Sequence, residues 1–185
     1  MADMEQVQLV KQGRDAVAKR RDEHPNEVLD LNASYLSYAR LHQVDLRGAD
    51  IRDSDLMGAI LVRANLSGCH LNPCHMSRAD LRQADMSRSL MNGANLRGAN
   101  LREANLSNSD MDRTVFSDAN LTGATIAPWH HFPETIYNST TLPDGTVKTD
   151  SPERRLLIQL YICLLYTSDA ADEGLGVDLG GRRII

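Results

Sequence analysis

The chain has 185 residues, 42% hydrophobic but only 4% aromatic, with 25 acidic against 20 basic side chains and a formal net charge of -5. That length suits one domain, or one domain with a short appendage; an ordinary charged fraction of 24% argues against wholesale disorder, and the missing basic excess argues against a nucleic-acid binder. Three cysteines make no disulfide framework, Met-Ala-Asp-Met-Glu is no signal peptide, and the apolar run from Leu156 to Tyr166 is too short to span a bilayer, which points to a cytoplasmic location.

Residues 5–24 read as a helix, with Val7, Val10 and Val17 on one side and Pro25 just beyond its end. An isolated helix of this size is marginal in water. Residues 1–30 are therefore read as a cap docked on the main body of the protein.

From Ser34 the period changes. Apolar side chains recur every five residues, from Leu36, Leu41, Leu46 and Ile51 through to Phe116, Leu121 and Ile126, in nineteen units without a gap. Two residues before each stands a small side chain, as at Ala39, Ala49, Ala59 and Ala64, and the residue between the two is most often Asp or Asn. Two residues after it Gly is frequent, as at Gly48, Gly58, Gly68, Gly93, Gly98 and Gly123. Five fits neither a helix nor a plain strand. Strand alternation sends the small and the large residue to one side and the polar residue between them to the other. Because five is odd, the chain must turn once per unit to keep the next pair inward, and Gly and polar residues sit where that turn falls. The result is an all-β solenoid whose narrow core takes one Leu and one Ala per face, which explains the shortage of rings.

These Ala-Asp/Asn-Leu-x-x units resemble the pentapeptide-repeat family across residues 34–126. The resemblance implies a right-handed quadrilateral β-helix over residues 31–126, with four units, or 20 residues, per coil. Nineteen units then make nearly five coils, a rod of about 24 Å. The family also opens with a Lys-Gln-Gly helix rich in Trp, and Lys11-Gln12-Gly13 and Asp30-Leu31 match that pattern, although Val17 and Arg20 stand where its aromatics are expected.

After Ile126 the register breaks at Pro128-Trp129. Residues 127–162 read as a C-terminal cap in which Pro143-Asp144-Gly145 turns a short hairpin over the edge of the last coil. Residues 163–185 differ in kind. Cys-Leu-Leu-Tyr-Thr-Ser-Asp-Ala-Ala-Asp and Val-Asp-Leu-Gly-Gly-Arg-Arg-Ile-Ile resemble a translated transposase-type sequencing adaptor, which implies a non-native tail beginning near Tyr161 or Ile162.

Cys69-His70 and Cys74-His75 have the ligand types of a zinc site, but both cysteines fall at the inward small position and both histidines at the outward one, so the four cannot share an ion. His130 and His131, near Trp129 and Glu134, have no nucleophile or metal partner in any recognisable pattern. No catalytic residue, metal or cofactor is expected, and an array without insertions has no loops from which to build a pocket. Some pentapeptide-repeat proteins imitate DNA and bind type II topoisomerases, which requires a dense negative surface. Residues 34–126 carry ten acids and ten arginines, so the repeat region is neutral.

The expected function is a bacterial, non-enzymatic scaffold for a protein partner or a homodimer, with no nucleic acid and no membrane involved. The alternative is a DNA mimic that protects a topoisomerase. The candidate contact residues are Met57, Ile60 and Val62, apolar at outward positions, with Tyr38 one coil earlier beside Gly58.

Overall fold

The computed structural model describes residues 3–126 and 135–149. Parallel bridges join residues twenty apart, from Asp30 with Asp50 through Asn105 with Thr125, so successive coils stack with four five-residue units to a turn. Within each unit the inward pair is buried: Leu36, Leu41, Leu61, Leu81 and Leu101 are fully inaccessible, as are Ala49, Ala59, Ala84 and Ala104. Met76, Met86, Met91 and Phe116 occupy the same position of the unit where Leu is absent.

Local chemistry explains the unit. The small residue donates its N–H to the carbonyl of the apolar residue three before it, as Ala39 does to Leu36 at 3.1 Å, closing a β-turn. The second turn residue has φ between +54° and +72° in every unit from Leu31 to Leu121 except that of Pro73, whose ring forbids it and whose peptide bond with Asn72 is cis. Twelve of these left-handed positions are not glycine, at about 1 kcal/mol or more each. The bonds they permit offset that cost: such an N–H reaches a carbonyl of the next coil, as Tyr38 reaches Met57 at 2.8 Å and Arg63 reaches Arg82 at 2.9 Å. The Asp or Asn between the inward pair has a matching role. Its side-chain oxygen accepts from the first N–H of the turn, as Asn65 accepts from Ser67 (3.1 Å) and Asp85 from Ser87 (3.0 Å).

At the N-terminus the structure replaces the single helix expected over 5–24 with two: α1, Met4–Lys11, and α2, Arg14–Glu23. The break falls at Gly13, whose φ of +93° is incompatible with a helix. Val7, Val10 and Val17 are buried as their spacing predicted.

Two polar side chains of these helices stand in for the backbone of an absent preceding coil. In later coils the N–H of the outward residue donates to the coil before it, as Asp50 does to Leu29; at Asp30 that N–H reaches Gln6 Oε1 instead, at 2.7 Å. Arg21, only 8% exposed, donates to the carbonyls of Asp45, Glu27 and Arg47, the first and last of which have no coil above them to supply a donor. Arg20 pairs with Glu27 at 2.7 Å. Polar anchors thus occupy a cap where aromatics are expected. Arg21→Met is expected to leave these carbonyls without partners and cost about 2–3 kcal/mol. A melting temperature within a degree of wild type would show that the guanidinium is dispensable.

Beyond the register break, residues 135–143 lie along the last coil: Phe116 donates to Ile136 and Leu121 to Thr141, both at 2.8 Å. Val115 bridges Ile136 and Asn120 bridges Thr141, twenty-one residues apart rather than twenty, so this coil contains one extra residue. The Tyr137 ring stacks on Phe116 with centroids 5.9 Å apart, and Lys148 lies over Tyr137. Strands β1, Thr140–Thr141, and β2, Val147–Lys148, pair antiparallel around the Pro143–Gly145 turn. Trp129, His130, His131 and the 163–185 tail lie outside the described residues.

Candidate functional site

The bridges define four outward columns in chain order. Face 1 presents Asp30, Asp50, His70, Leu90 and Asp110, and face 2 presents Tyr35, Asp55, His75, Asn95 and Val115. Face 3 presents Arg40, Ile60, Asp80, Asn100 and Asn120, and face 4 presents Asp45, Asn65, Asp85, Asn105 and Thr125. The turn residues that follow each unit project from the corner between one face and the next.

Cys69 and Cys74 are buried and free. Their thiols point inward, to the Leu46 and Ser54 carbonyls, and burial pushes both up, that of Cys69 to about 12. His70 is exposed on the opposite side of the strand. His75 is half-buried, its Nε2 is 2.6 Å from Ser77 Oγ and its Nδ1 is 3.6 Å from Asp55. Partial burial lowers its pKa against the pull of that carboxylate.

Three of the apolar candidates, Tyr38, Met57 and Ile60, gather at or beside the corner between faces 2 and 3. Tyr38 lies flat over Gly58, where an added Cβ would come within 2.6 Å of its Cε1. Tyr38 is 66% exposed and Ile60 38%, while Met57 and Val62 are partly buried. Ile60 bridges Arg40 on the adjoining face, and Val62 sits at the next corner beside Arg63 and Arg82. Sequence reasoning missed Tyr35, 73% exposed on face 2 directly above Asp55. The signal was available: in a core built from Leu and Ala, an aromatic at an outward position has nothing to fill. Of the four described aromatics, Phe116 and Tyr137 stack together in the interior, and Tyr35 and Tyr38 stand exposed on the first coil.

The charges are extensively paired. Arg52 holds Asp50 and Arg82 holds Asp80 through two-pronged bonds of 2.6–2.8 Å, which keep both carboxyls below the usual carboxylate range. Arg47 with Asp45, Arg97 with Asp118 and Arg113 with Asp112 make further pairs at 3.3–3.6 Å. A surface meant to imitate a nucleic-acid backbone needs acids free of local cations, and five of the ten in the repeat region have an arginine beside them.

The chain matches the family Pentapeptide repeats, in eight copies, over residues 30–61, 59–98 and 99–126, more than half its length. Among solved structures it is similar to HetL, a pentapeptide repeat protein involved in heterocyst differentiation regulation from the cyanobacterium Nostoc sp. strain PCC 7120. The identity is 26% over 65% of this chain and 70% of that one, with a TM-score of 0.31. It is also similar to Rfr23, from the cyanobacterium Cyanothece 51142, at 29% identity over 54% of this chain and 65% of that one, with a TM-score of 0.29. QnrB1, a plasmid-mediated fluoroquinolone resistance protein, matches at 16% identity over 71% of this chain and 62% of that one, with a TM-score of 0.46. No curated protein matches the sequence.

Proposed function

Because the chain belongs to the pentapeptide-repeat family, we propose that it is a non-enzymatic scaffold whose stacked outer surface binds another protein. The observation that carries this reading is the exposure of Tyr38, Ile60 and Tyr35 beside the partly buried Met57, with Val62 at the next corner, in a chain so short of aromatics. Tyrosine flanked by arginine is the composition of an interface centre, and Arg40 and Arg63 flank this one. The right-handed sense of the coil, as the family resemblance implies it, is part of the reading. So is a cytoplasmic location, which buried free thiols fit.

Replacing Met57, Ile60 and Val62 together by Ser, Asn and Arg is expected to leave melting nearly unchanged and to abolish capture of the bound protein, or self-association if the partner is a second copy. Retention of both by the triple variant would remove this corner from the function. The DNA-mimic alternative makes the opposite forecast in a gyrase supercoiling assay, where inhibition at low micromolar protein would replace the scaffold reading.

A further inference from the structure

Neutrality of the repeat region conceals a strong segregation of charge. Face 3 and its two flanking corners hold six of the ten arginines, Arg40, Arg63, Arg78, Arg82, Arg97 and Arg102. They hold only three of the ten acids, Asp80, Glu103 and Asp118. The remaining surface of the same coils carries the reverse, four arginines against seven acids.

Pairing sharpens the contrast. Asp80 is neutralised by Arg82 and Asp118 by Arg97, whereas Arg40, Arg63, Arg78 and Arg102 have no carboxylate within 4.0 Å among the described residues. Arg63 donates to Gln83 at 2.7 Å, and Gln83 in turn to Glu103, which holds the guanidinium against the stack without cancelling its charge. Arg14, at the start of α2, donates to Gln43 and extends the basic strip over the first coil. The strip runs from the cap through the fourth coil, about 15 Å at the spacing of stacked strands. That is the reach of roughly five extended residues.

We infer that face 3 is the docking surface for an acidic polypeptide segment that also carries an apolar side chain. The inference rests on the scaffold reading and names the chemistry of its partner. The unpaired arginines call for anions, and Arg favours the two-oxygen carboxylate. Tyr38, Met57 and Ile60, set among those arginines, call for an apolar group that a sugar-phosphate backbone does not offer. A net acidic chain with one basic side would thereby steer an acidic partner to that side alone.

The test uses the full chain and fluorescently labelled probes: a random copolymer of glutamate and tyrosine, polyglutamate, a copolymer of lysine and tyrosine, and an oligothymidylate. The glutamate–tyrosine copolymer is expected to bind most tightly and to weaken steeply with salt. Combined charge reversal, R40E with R63E and R102E, is expected to lower that affinity by at least about tenfold. Reversal of Arg47 and Arg52 on the other faces is expected to leave it unchanged. Equal affinity of the triple reversal and wild type, each shown folded by melting, would overturn the inference. So would an oligothymidylate that binds as tightly as the copolymer and is lost with the same arginines, which would assign the strip to phosphate. If no copolymer binds while the Met57, Ile60 and Val62 variant still loses its captured protein, the acidic partner falls and the scaffold stands.

Discussion

Leu81→Asp is expected to unfold the coil stack, at a cost above about 4 kcal/mol. Leu81 is fully buried in the third coil, in one column with Leu61 and Leu101, and neither these nor the small buried residues that flank it in the chain, Ala79 and Ala84, have a side chain that offers a carboxylate a hydrogen bond. The damage spreads along the stack, because each coil contacts only its neighbours and a failed coil deprives two others of their bridges. Ala99→Leu tests the same interior from the other direction. The position is 1% exposed, and the larger side chain overfills a narrow core at about 1–3 kcal/mol. Arg97→Ser, which removes only an exposed pair with Asp118, is expected to cost no more than about 0.5 kcal/mol. The order of the three melting temperatures checks the inward register, and a Leu81→Asp protein that melts with wild type would refute it.

Ending the chain at Ile126 is expected to turn a closed edge into an associating one. Residues 135–143 supply the acceptors for the N–H groups of Phe116, Asp118, Leu121 and Gly123, and Tyr137 covers the face of Phe116. Without them the last coil presents a row of unpaired donors beside an uncovered aromatic, the usual template for strand pairing between molecules. Sedimentation is expected to show dimers and larger species whose proportion rises with concentration. A shortened chain that stays monomeric would mean that the cap has another purpose.

Much of the candidate site was legible in advance because it depends on the same alternation as the core. Met57, Ile60 and Val62 stand at outward positions of the five-residue unit, and a 20-residue coil sets Tyr38 over Gly58. Tyr35 was legible by the same alternation, as an aromatic at an outward position, but it stands on face 2, apart from the apolar residues that cluster on the second coil. The basic side was hidden for a different reason. Counting charges along the chain adds Arg40, Arg63 and Arg102 to Asp45, Asp50 and Asp53, although the coil carries them to different faces.

By itself the sequence determined which residues face inward, where each unit turns and where the repeat stops. These are local matters of alternation, of left-handed φ and of an Asp or Asn side chain two residues from the N–H it accepts from. The caps and the sorting of charge were decided only in the tertiary structure. Arg21 meets the Asp45 and Arg47 carbonyls, and Gln6 the Asp30 N–H, across 24 to 26 residues with no periodic signal to announce the match. The helix break at Gly13 belongs with them, since two short helices lay their valines on the first coil where one long helix was expected. Arg82 finds Asp80 two residues away, within its own unit, but Arg97 finds Asp118 only because coils about twenty residues apart align, and that alignment exists only once the stack has formed.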